Sequence, residues 1–269
     1  AQVMQSYGLT ENTSHVSLDP RDGEVRTRCS GIRVPYMQIR IVKMKEGGEI
    51  ERDCAIDEIG MLLVGGPGVA GGYLDPSQNK GAFLDNGFFV TGDLGSLDSD
   101  GYLRISGRQK DLIIRGGHNI EPGLIEEALM QSPSVAIAAA VGKPDTHAGE
   151  LPIAYVELHP GAQISAEELL TFATERISER PAVPKEIVIL DKLPLTSVGK
   201  PMKHVLQMDA AKREFENALK PLACQWKLDI VNTGGSGLAM TVHLKNASPT
   251  DRNEAEKILS AYSTPYVIE

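Results

Sequence analysis

Three short segments of the chain carry the side chains most able to do chemistry. Tyr7, Thr10 and Glu11 lie close together, Asp93 follows an apolar segment, and Lys200 ends a polar loop. A carboxylate can accept hydrogen bonds from hydroxyl groups, or bind a Mg²⁺ ion that keeps phosphate oxygens and waters as its other ligands. A lysine can place a flexible positive charge beside a developing oxyanion. Taken singly, each segment is also explained as an exposed loop.

A glycine-rich segment at residues 65–73 reads GGPGVAGGY. It lacks the Gly-Lys-Ser/Thr ending of a nucleotide P-loop, and no long helical pattern follows it. Because glycine lets backbone approach backbone closely, we expect a turn that packs against a neighbouring part of the chain.

A polar segment at residues 105–127 reads ISGRQKDLIIRGGHNIEPGLIEE. It turns at its Gly-Gly pair (residues 116–117) and then starts a helix at Pro122. We expect Glu126 and Glu127 in the first turns of that helix, where acidic side chains suit the helix dipole. A polar run between two apolar-rich parts of a chain is typical of a hinge, and the alternative is a surface loop with a hairpin.

Taken in order, five segments resemble the motifs of the adenylate-forming enzymes, the superfamily of acyl-CoA synthetases, luciferases and peptide-synthetase adenylation domains. The matching segments are YGxTE at residues 7–11, GPGVxxGY within residues 65–73, residues 89–93, residues 105–127 and PxTxxGK within residues 193–200. In that superfamily the fourth segment joins a large N-terminal domain to a small mobile C-terminal domain. The resemblance covers roughly residues 1–205, and five ordered motifs are far more specific than any one of them.

The resemblance implies a site for ATP and Mg²⁺ in the first part of the chain. Its expected residues are Tyr7, Gly8, Thr10, Glu11, Asp93 and Arg108. Tyr7 and Gly8 would line the pocket for adenine and the acyl group, Thr10 would contact a phosphate, and Glu11 would bind Mg²⁺. The resemblance also implies that the Asp93 carboxylate accepts hydrogen bonds from the two ribose hydroxyls of ATP, and that Arg108 supports the same ribose.

The resemblance also assigns roles beyond the fourth segment. Lys110 would be the hinge, and Lys200 would be the catalytic lysine that stabilises charge as the acyl-adenylate forms. Gly116, Gly117 and His118 would bind coenzyme A, because the GG-x-N-I pattern is frequent in acyl-CoA synthetases. There the glycines leave room for the pantetheine arm.

The predicted fold class is mixed α+β. Residues 1–107 would be the C-terminal part of a large N-terminal AMP-binding domain with antiparallel strands, and residues 108–207 the small mobile C-terminal domain. Residues 208–269 extend past the usual end of the family, and their periodicity predicts an appended small α+β module. The predicted helices and strands after the hinge are helices at 125–130, 166–177 (with Ser165 as N-cap), 209–219 and 250–261, and strands at 135–141, 153–158, 186–190, 238–244 and 266–268.

Composition limits the remaining classes of function. The 269 residues carry a formal net charge of −9, which argues against a broad nucleic-acid surface, and no apolar run is long enough to span a bilayer. The three cysteines are isolated and odd in number, which favours free thiols in a reducing compartment, so we expect a cytoplasmic protein. The first residues do not resemble a natural start and are silent on targeting.

The sequence therefore predicts part of an ATP-dependent acyl-CoA synthetase of the kind used in fatty acid metabolism. It would activate a small-molecule carboxylic acid as acyl-AMP and pass the acyl group to coenzyme A. One alternative is an adenylation domain that passes the acyl group to a carrier protein. Another is a non-catalytic binding or assembly module that acts through residues 208–269, the segment through which an oligomer would form. The family's phosphate loop and most of its acyl pocket should lie upstream of Tyr7, so we expect residues 1–269 alone to be inactive.

Overall fold

A computed structural model describes residues 3–45, 47–233 and 237–269, and the chain divides into two compact units, Ala1–Gln109 and Lys110–Glu269. The first unit holds a three-stranded and a five-stranded antiparallel sheet among its described residues. Its strands are β1 Ser6–Leu9, β2 Ser14–Leu18, β3 Ile32–Arg33, β4 Gln38–Met44, β5 Ile50–Asp53, β6 Gly60–Gly65, β7 Phe88–Leu97 and β8 Leu103–Arg108. The sheet orders are β1-β2-β3 and β5-β4-β6-β7-β8.

Strand β6 is buried on both faces and organises the larger sheet. Leu62 and Val64 belong to one hydrophobic cluster, while Met61 and Leu63 belong to another. Because successive side chains on a strand point to opposite faces, this four-residue apolar run holds two layers together.

Asp93 lies in the middle of β7 and not in an exposed loop. Strand β7 is 10 residues long and pairs with both β6 and β8 through this region. The pairing of β7 with β8 begins at Asp93, and its pairing with β6 resumes at Leu94 after a bulge, so the strand continues past Gly92.

The second unit is built on a mixed sheet with helices on both faces. Its elements are β9 Ile113–Arg115, β10 His118–Ile120, α1 Pro122–Met130, β11 Val135–Asp145, β12 Gly149–Leu158, α2 Ala166–Thr174, β13 Glu186–Leu190, α3 Lys203–Leu219, β14 Gln225–Asn232, β15 Leu238–Lys245, α4 Pro249–Leu259 and β16 Tyr266–Ile268. Helices α1 and α2 pack against one face of the β10-β9-β12-β11 sheet, to which β13 is added in parallel to β12. The start of α3 packs against the opposite face.

The last strands form a separate three-stranded sheet in the order β14-β15-β16. The second half of α3 and helix α4 cover one of its faces, with Phe215 and Leu219 from α3 and Leu259 from α4 fully buried. Helix α3 begins at Lys203, six residues before the predicted start, because Leu206 and Ala210 are already needed to cover the preceding sheet. One continuous helix therefore contributes to two hydrophobic cores.

A polar network lies along α3. Buried Tyr155 donates its hydroxyl to Asp209 at 2.7 Å, and Lys143 lies 3.4 Å from carboxylate oxygens of both Glu186 and Glu214. Tyr262, after α4, also donates to Glu214, at 2.8 Å. These contacts connect the larger sheet and the C-terminal sheet through the same helix.

Glu126 and Glu127 lie within the first two turns of α1, as predicted, although neither lies in the first turn, where the helix dipole acts most strongly. Helix α1 begins at Pro122, and its first turn contains no acidic residue. Glu126 instead accepts a hydrogen bond from the Ala140 N–H of edge strand β11 at 2.9 Å and pairs with Lys203 at 2.8 Å. Its carboxylate thus satisfies a strand edge rather than the helix dipole.

The mixed α+β fold class is confirmed. Helix α2 begins where predicted, with a full capping box between Ser165 and Glu168, although it ends at Thr174 rather than at residue 177. No helix among the described ranges is both long and apolar enough to cross a membrane.

The first prediction concerns the shared helix. Replacing Phe215 with alanine removes a fully buried ring that stacks edge-on against Tyr262 at 4.8 Å. We expect Phe215→Ala to lower the free energy of unfolding by about 3–5 kcal/mol, measured by urea denaturation. The control is Phe172→Ala on α2, since Phe172 is only half-buried and should cost less. Equal losses would contradict the role of Phe215 in the C-terminal core.

Candidate active site

Asp93 is the centre of the polar cluster in the first unit. The Tyr7 hydroxyl donates to Asp93 Oδ2 at 2.5 Å, and Arg108 Nε donates to Asp93 Oδ1 at 3.0 Å. The Asp93 side chain is only 10% exposed, whereas that of Arg108 is 57% exposed. A carboxylate has about four acceptor positions, so two donors leave it able to accept further hydrogen bonds from hydroxyl groups.

The strand pairing explains why these groups meet. Asp93 and Arg108 are directly paired across β7 and β8. The backbone at Asp93 is further fixed because its N–H donates to Thr91 Oγ1 at 3.0 Å, while the Thr91 hydroxyl donates to the Leu62 carbonyl at 2.8 Å.

Tyr7 reaches Asp93 from the smaller sheet. Burial raises the pKa of the Tyr7 phenol well above its usual value of 10.0, and the hydrogen bond to Asp93 raises it further. The phenol is therefore a proton donor at neutral pH. The next residue, Gly8, lies where the register between β1 and β2 shifts, and a Cβ there would lie 2.1 Å from the Ser14 carbonyl oxygen. A glycine is required there by backbone contact.

A cleft of about 350 Å³ opens beside this cluster. Its lining residues are Leu9, Glu11, Tyr73, Gly81, Ala82, Phe89, Val90, Thr91, Gly92, Asp93 and Arg108. Of the predicted nucleotide residues, Glu11, Asp93 and Arg108 thus share one cleft. Tyr7 contacts it through Asp93, and Gly8 and Thr10 are not among its lining residues.

The glycine-rich segment packs against the short 3-10 helix Thr10–Asn12 that carries Glu11. The Ala70 N–H donates to the Glu11 carbonyl at 2.8 Å, and a Cβ on Gly68 would lie 2.9 Å from the Asn12 carbonyl oxygen. This is the close backbone packing that its glycine content predicts. Tyr73, the last residue of the segment, also donates its hydroxyl to Glu11 Oε1 at 2.7 Å, a contact that no sequence motif predicts.

Lys200 stands at the end of a tight hairpin in the second unit. The Thr196 N–H donates to the Lys200 carbonyl at 2.8 Å, the Lys200 N–H donates to Thr196 Oγ1 at 3.1 Å, and Gly199 has a φ of +79°. The Lys200 side chain is exposed and forms no ion pair within the part of the chain that the structure describes. A fixed backbone with an unpaired ammonium group suits a lysine that contacts a ligand.

Gly116 and Gly117 form the two-residue turn between β9 and β10. Both have positive φ, +56° and +84°, as a type I′ hairpin requires. A Cβ on either residue would meet nothing within 4 Å, so the described chain leaves open space around the turn. His118, the first residue of β10, is exposed beside it.

The turn is supported by residues 145–150. The Gly116 N–H donates to the Ala148 carbonyl at 2.7 Å, and the Ile114 N–H donates to Glu150 Oε2 at 2.8 Å. Gly142 makes room for this carboxyl group, since a Cβ there would lie 2.5 Å from Glu150 Cδ. Burial raises the pKa of Glu150 above 4.5, and the Ile114 hydrogen bond lowers it only in part.

Two family profiles match the chain. The AMP-binding enzyme family matches residues 1–74, and the AMP-binding enzyme C-terminal domain matches residues 124–200. The chain belongs to the adenylate-forming superfamily, as the five motifs indicate.

Individual relatives are CoA ligases. The marinolic acid–CoA ligase of Pseudoalteromonas sp. (strain SANK 73390) is 42% identical over 257 residues, which are 95% of this chain and 39% of that protein. The ATP-bound MatB structure from Rhodopseudomonas palustris is 35% identical with a TM-score of 0.70, over 76% of this chain and 40% of MatB. The Bacillus subtilis O-succinylbenzoate CoA synthetase with its acyl-adenylate intermediate is 33% identical with a TM-score of 0.68, over 76% and 40%.

These matches cover different shares of this chain. The chain spans about 40% of the length of each of these relatives. A match over 95% of the chain must extend into residues 208–269, because residues 1–207 are only about 77% of it. The marinolic acid–CoA ligase therefore shares sequence with most of the C-terminal extension.

The second prediction uses the Glu150 pKa. Because the folded state raises this pKa, the stability that its proton contributes is complete below pH 4.5 and is lost as the pH rises through the folded-state pKa. Glutamine cannot titrate, so we compare the free energies of unfolding of the parent and of Glu150→Gln. The parent value minus the variant value should decrease as the pH rises from about 4.5 to about 7. Urea denaturation at both pH values measures this difference. A difference that rises with pH would contradict the assigned direction.

Proposed function

We propose that this chain is part of an AMP-forming acid–thiol ligase. In the first half-reaction a carboxylate oxygen of the acid substrate attacks the α-phosphorus of ATP, and the bond to pyrophosphate breaks. In the second, the sulfur of coenzyme A attacks the acyl carbon and AMP leaves. The observation that carries the proposal is the buried Asp93 carboxylate, which keeps free acceptor positions beside a cleft.

The cleft residues suit ATP. Asp93 would accept from the ribose hydroxyls, while Tyr7 and Arg108 hold its carboxylate in place and the Arg108 guanidinium balances its charge. Thr10, next to the lining residue Glu11, would donate its hydroxyl to a phosphate oxygen. Solved relatives with bound ATP support this assignment.

Glu11 suits Mg²⁺. Its carboxylate lines the same cleft, and Mg²⁺ is usually held by one or two carboxylates together with substrate phosphates. A magnesium ion would supply positive charge to the triphosphate oxygens, and the Bacillus subtilis synthetase has been solved with ATP and a magnesium ion (33% identity, TM-score 0.65, covering 74% of this chain and 40% of that chain). Gly8 would serve by allowing the close approach of the β1 and β2 backbones just before Glu11.

Residues of the second unit would serve the two half-reactions separately. Lys200 would stabilise charge on the carboxylate and the α-phosphate during adenylation. Gly116, Gly117 and His118 would receive the pantetheine arm of coenzyme A. The open space around the two glycines supports this assignment. The boundary between the compact units falls at Lys110, which supports that residue as the hinge.

The domain assignment follows the same proposal. Residues 1–107 would belong to the large AMP-binding domain, residues 108–207 would be the small mobile domain, and residues 208–269 an appended module fixed to it through α3. We infer a cytoplasmic enzyme, because all three cysteines are free thiols. Its substrate would be a small-molecule carboxylic acid, because relatives are named for such acids.

The third prediction separates the two half-reactions in the full-length protein. Lys200→Ala should lower acyl-AMP synthesis from acid and ATP by about 10²–10³-fold, because a preorganised charge on the oxyanion is lost. Acyl-CoA synthesis from supplied acyl-AMP should be unaffected. Gly117→Leu should do the reverse, because its side chain would fill the space for pantetheine. Pyrophosphate release and thioester formation are the two measurements.

A matched control removes the effect of backbone strain. Gly161 also has a positive φ, +82°, with nothing within 4 Å of a built Cβ. Gly161→Leu should therefore carry a similar strain without loss of transfer. If Gly117→Leu transfers to coenzyme A normally, the acceptor site is wrong and a carrier protein is favoured. If Lys200→Ala makes acyl-AMP at the parental rate, the catalytic assignment is wrong.

A further inference from the structure

Glu11 does not stand alone in the cleft. The Tyr73 hydroxyl donates to Glu11 Oε1 at 2.7 Å, across 62 positions of sequence. One oxygen of the carboxylate is thereby engaged, and Oε2 is left for another partner.

The main chain of Glu11 is held by the same segment. The Ala70 N–H donates to the Glu11 carbonyl at 2.8 Å, and Thr13 Oγ1 donates to the Gly68 carbonyl at 2.8 Å. The glycine-rich segment and the turn that carries Glu11 are therefore joined by three hydrogen bonds, one between backbones, one from the Thr13 hydroxyl and one at the Glu11 carboxylate.

Tyr73 itself is fixed in place. Its N–H donates to Asn79 Oδ1 at 2.7 Å. Its ring packs edge-on against Phe83 with centroids 5.4 Å apart, and Phe83 packs against Phe89 at 4.9 Å. A ring held on one side and a backbone held on the other leave the hydroxyl little freedom, as a group that orients a ligand requires.

We propose that Tyr73 is a positioning residue for the metal site, orienting the Glu11 carboxylate so that its second oxygen meets a divalent cation on the nucleotide. This rests on the proposed function, since it needs Glu11 to be the metal ligand. Groups that hydrogen-bond to a metal-binding carboxylate orient it, and their removal typically weakens metal binding by about 10–100-fold. The glycine-rich segment then acts in metal binding through Tyr73, without contacting the ion.

The fourth prediction tests this with Mn²⁺ in place of Mg²⁺. Electron paramagnetic resonance of the full-length protein with a non-hydrolysable ATP analogue measures free and bound Mn²⁺ directly, without turnover. Tyr73→Phe should raise the Kd for Mn²⁺ by about 10-fold or more. The affinity for the analogue in EDTA should be unchanged, because the ring and its packing remain. A general structural defect would weaken both.

The matched control is Tyr102→Phe. Tyr102 also lies in the first unit and donates its hydroxyl, at 2.5 Å, but to the Glu24 carbonyl. That variant should bind Mn²⁺ like the parent. Glu11→Gln should weaken Mn²⁺ binding at least as much as Tyr73→Phe.

The outcomes separate the two proposals. If Glu11→Gln weakens Mn²⁺ binding and Tyr73→Phe does not, the positioning role is overturned and the proposed function stands. If neither variant changes Mn²⁺ binding, Glu11 is not the ligand and the positioning role falls with it. If the parent protein shows no carboxylate-dependent pyrophosphate release, the proposed function itself is overturned.

Discussion

The site in the first unit depends on one interaction, the buried Asp93 carboxylate held between the Tyr7 hydroxyl and the Arg108 guanidinium. A buried carboxylate without partners is costly, and these two donors compensate for lost hydration. Tyr7 comes from the three-stranded sheet, and the other two residues come from the five-stranded sheet. The same contact therefore joins two sheets and leaves an oriented acceptor at the cleft.

In the second unit a single helix stabilises two sheets. Helix α3 covers the larger sheet with Leu206 and Ala210 and the C-terminal sheet with Phe215 and Leu219. The extension is consequently an integral part of this unit and not a tethered tail. The two candidate ligand loops lie elsewhere, at turns where positive-φ glycines expose Lys200 and leave space around Gly117.

Much of this architecture can be predicted from the sequence, because its motifs are local and ordered. The α+β class, the capping box at Ser165 and the strand at Glu186–Leu190 follow from short-range patterns. The position of Asp93 within β7 does not, because it depends on pairing with two neighbouring strands that are distant in sequence.

No periodicity predicts the contact between Tyr73 and Glu11, for a related reason. The two residues lie 62 positions apart, and close backbone packing alone explains the glycine content of the segment. The tyrosine that ends the segment is the one signal of a further contact. The motif before α3 indicates the end of a domain, so the predicted start of α3 falls too late, although Leu206 and Ala210 already have helical spacing.

The claim that Asp93 is the ribose acceptor can be tested by calorimetry on the full-length protein. The parent should bind ATP more tightly than 2′,3′-dideoxy-ATP. Asp93→Asn should weaken ATP binding by about 10–100-fold, since hydrogen bonds to a charged group contribute about 1.5–3 kcal/mol, while binding of the dideoxy analogue changes little. Asp53→Asn is the control, because this exposed β5 carboxylate pairs with Arg40 of β4, and the variant should bind both nucleotides like the parent. Equal losses for both nucleotides in Asp93→Asn would contradict the assignment.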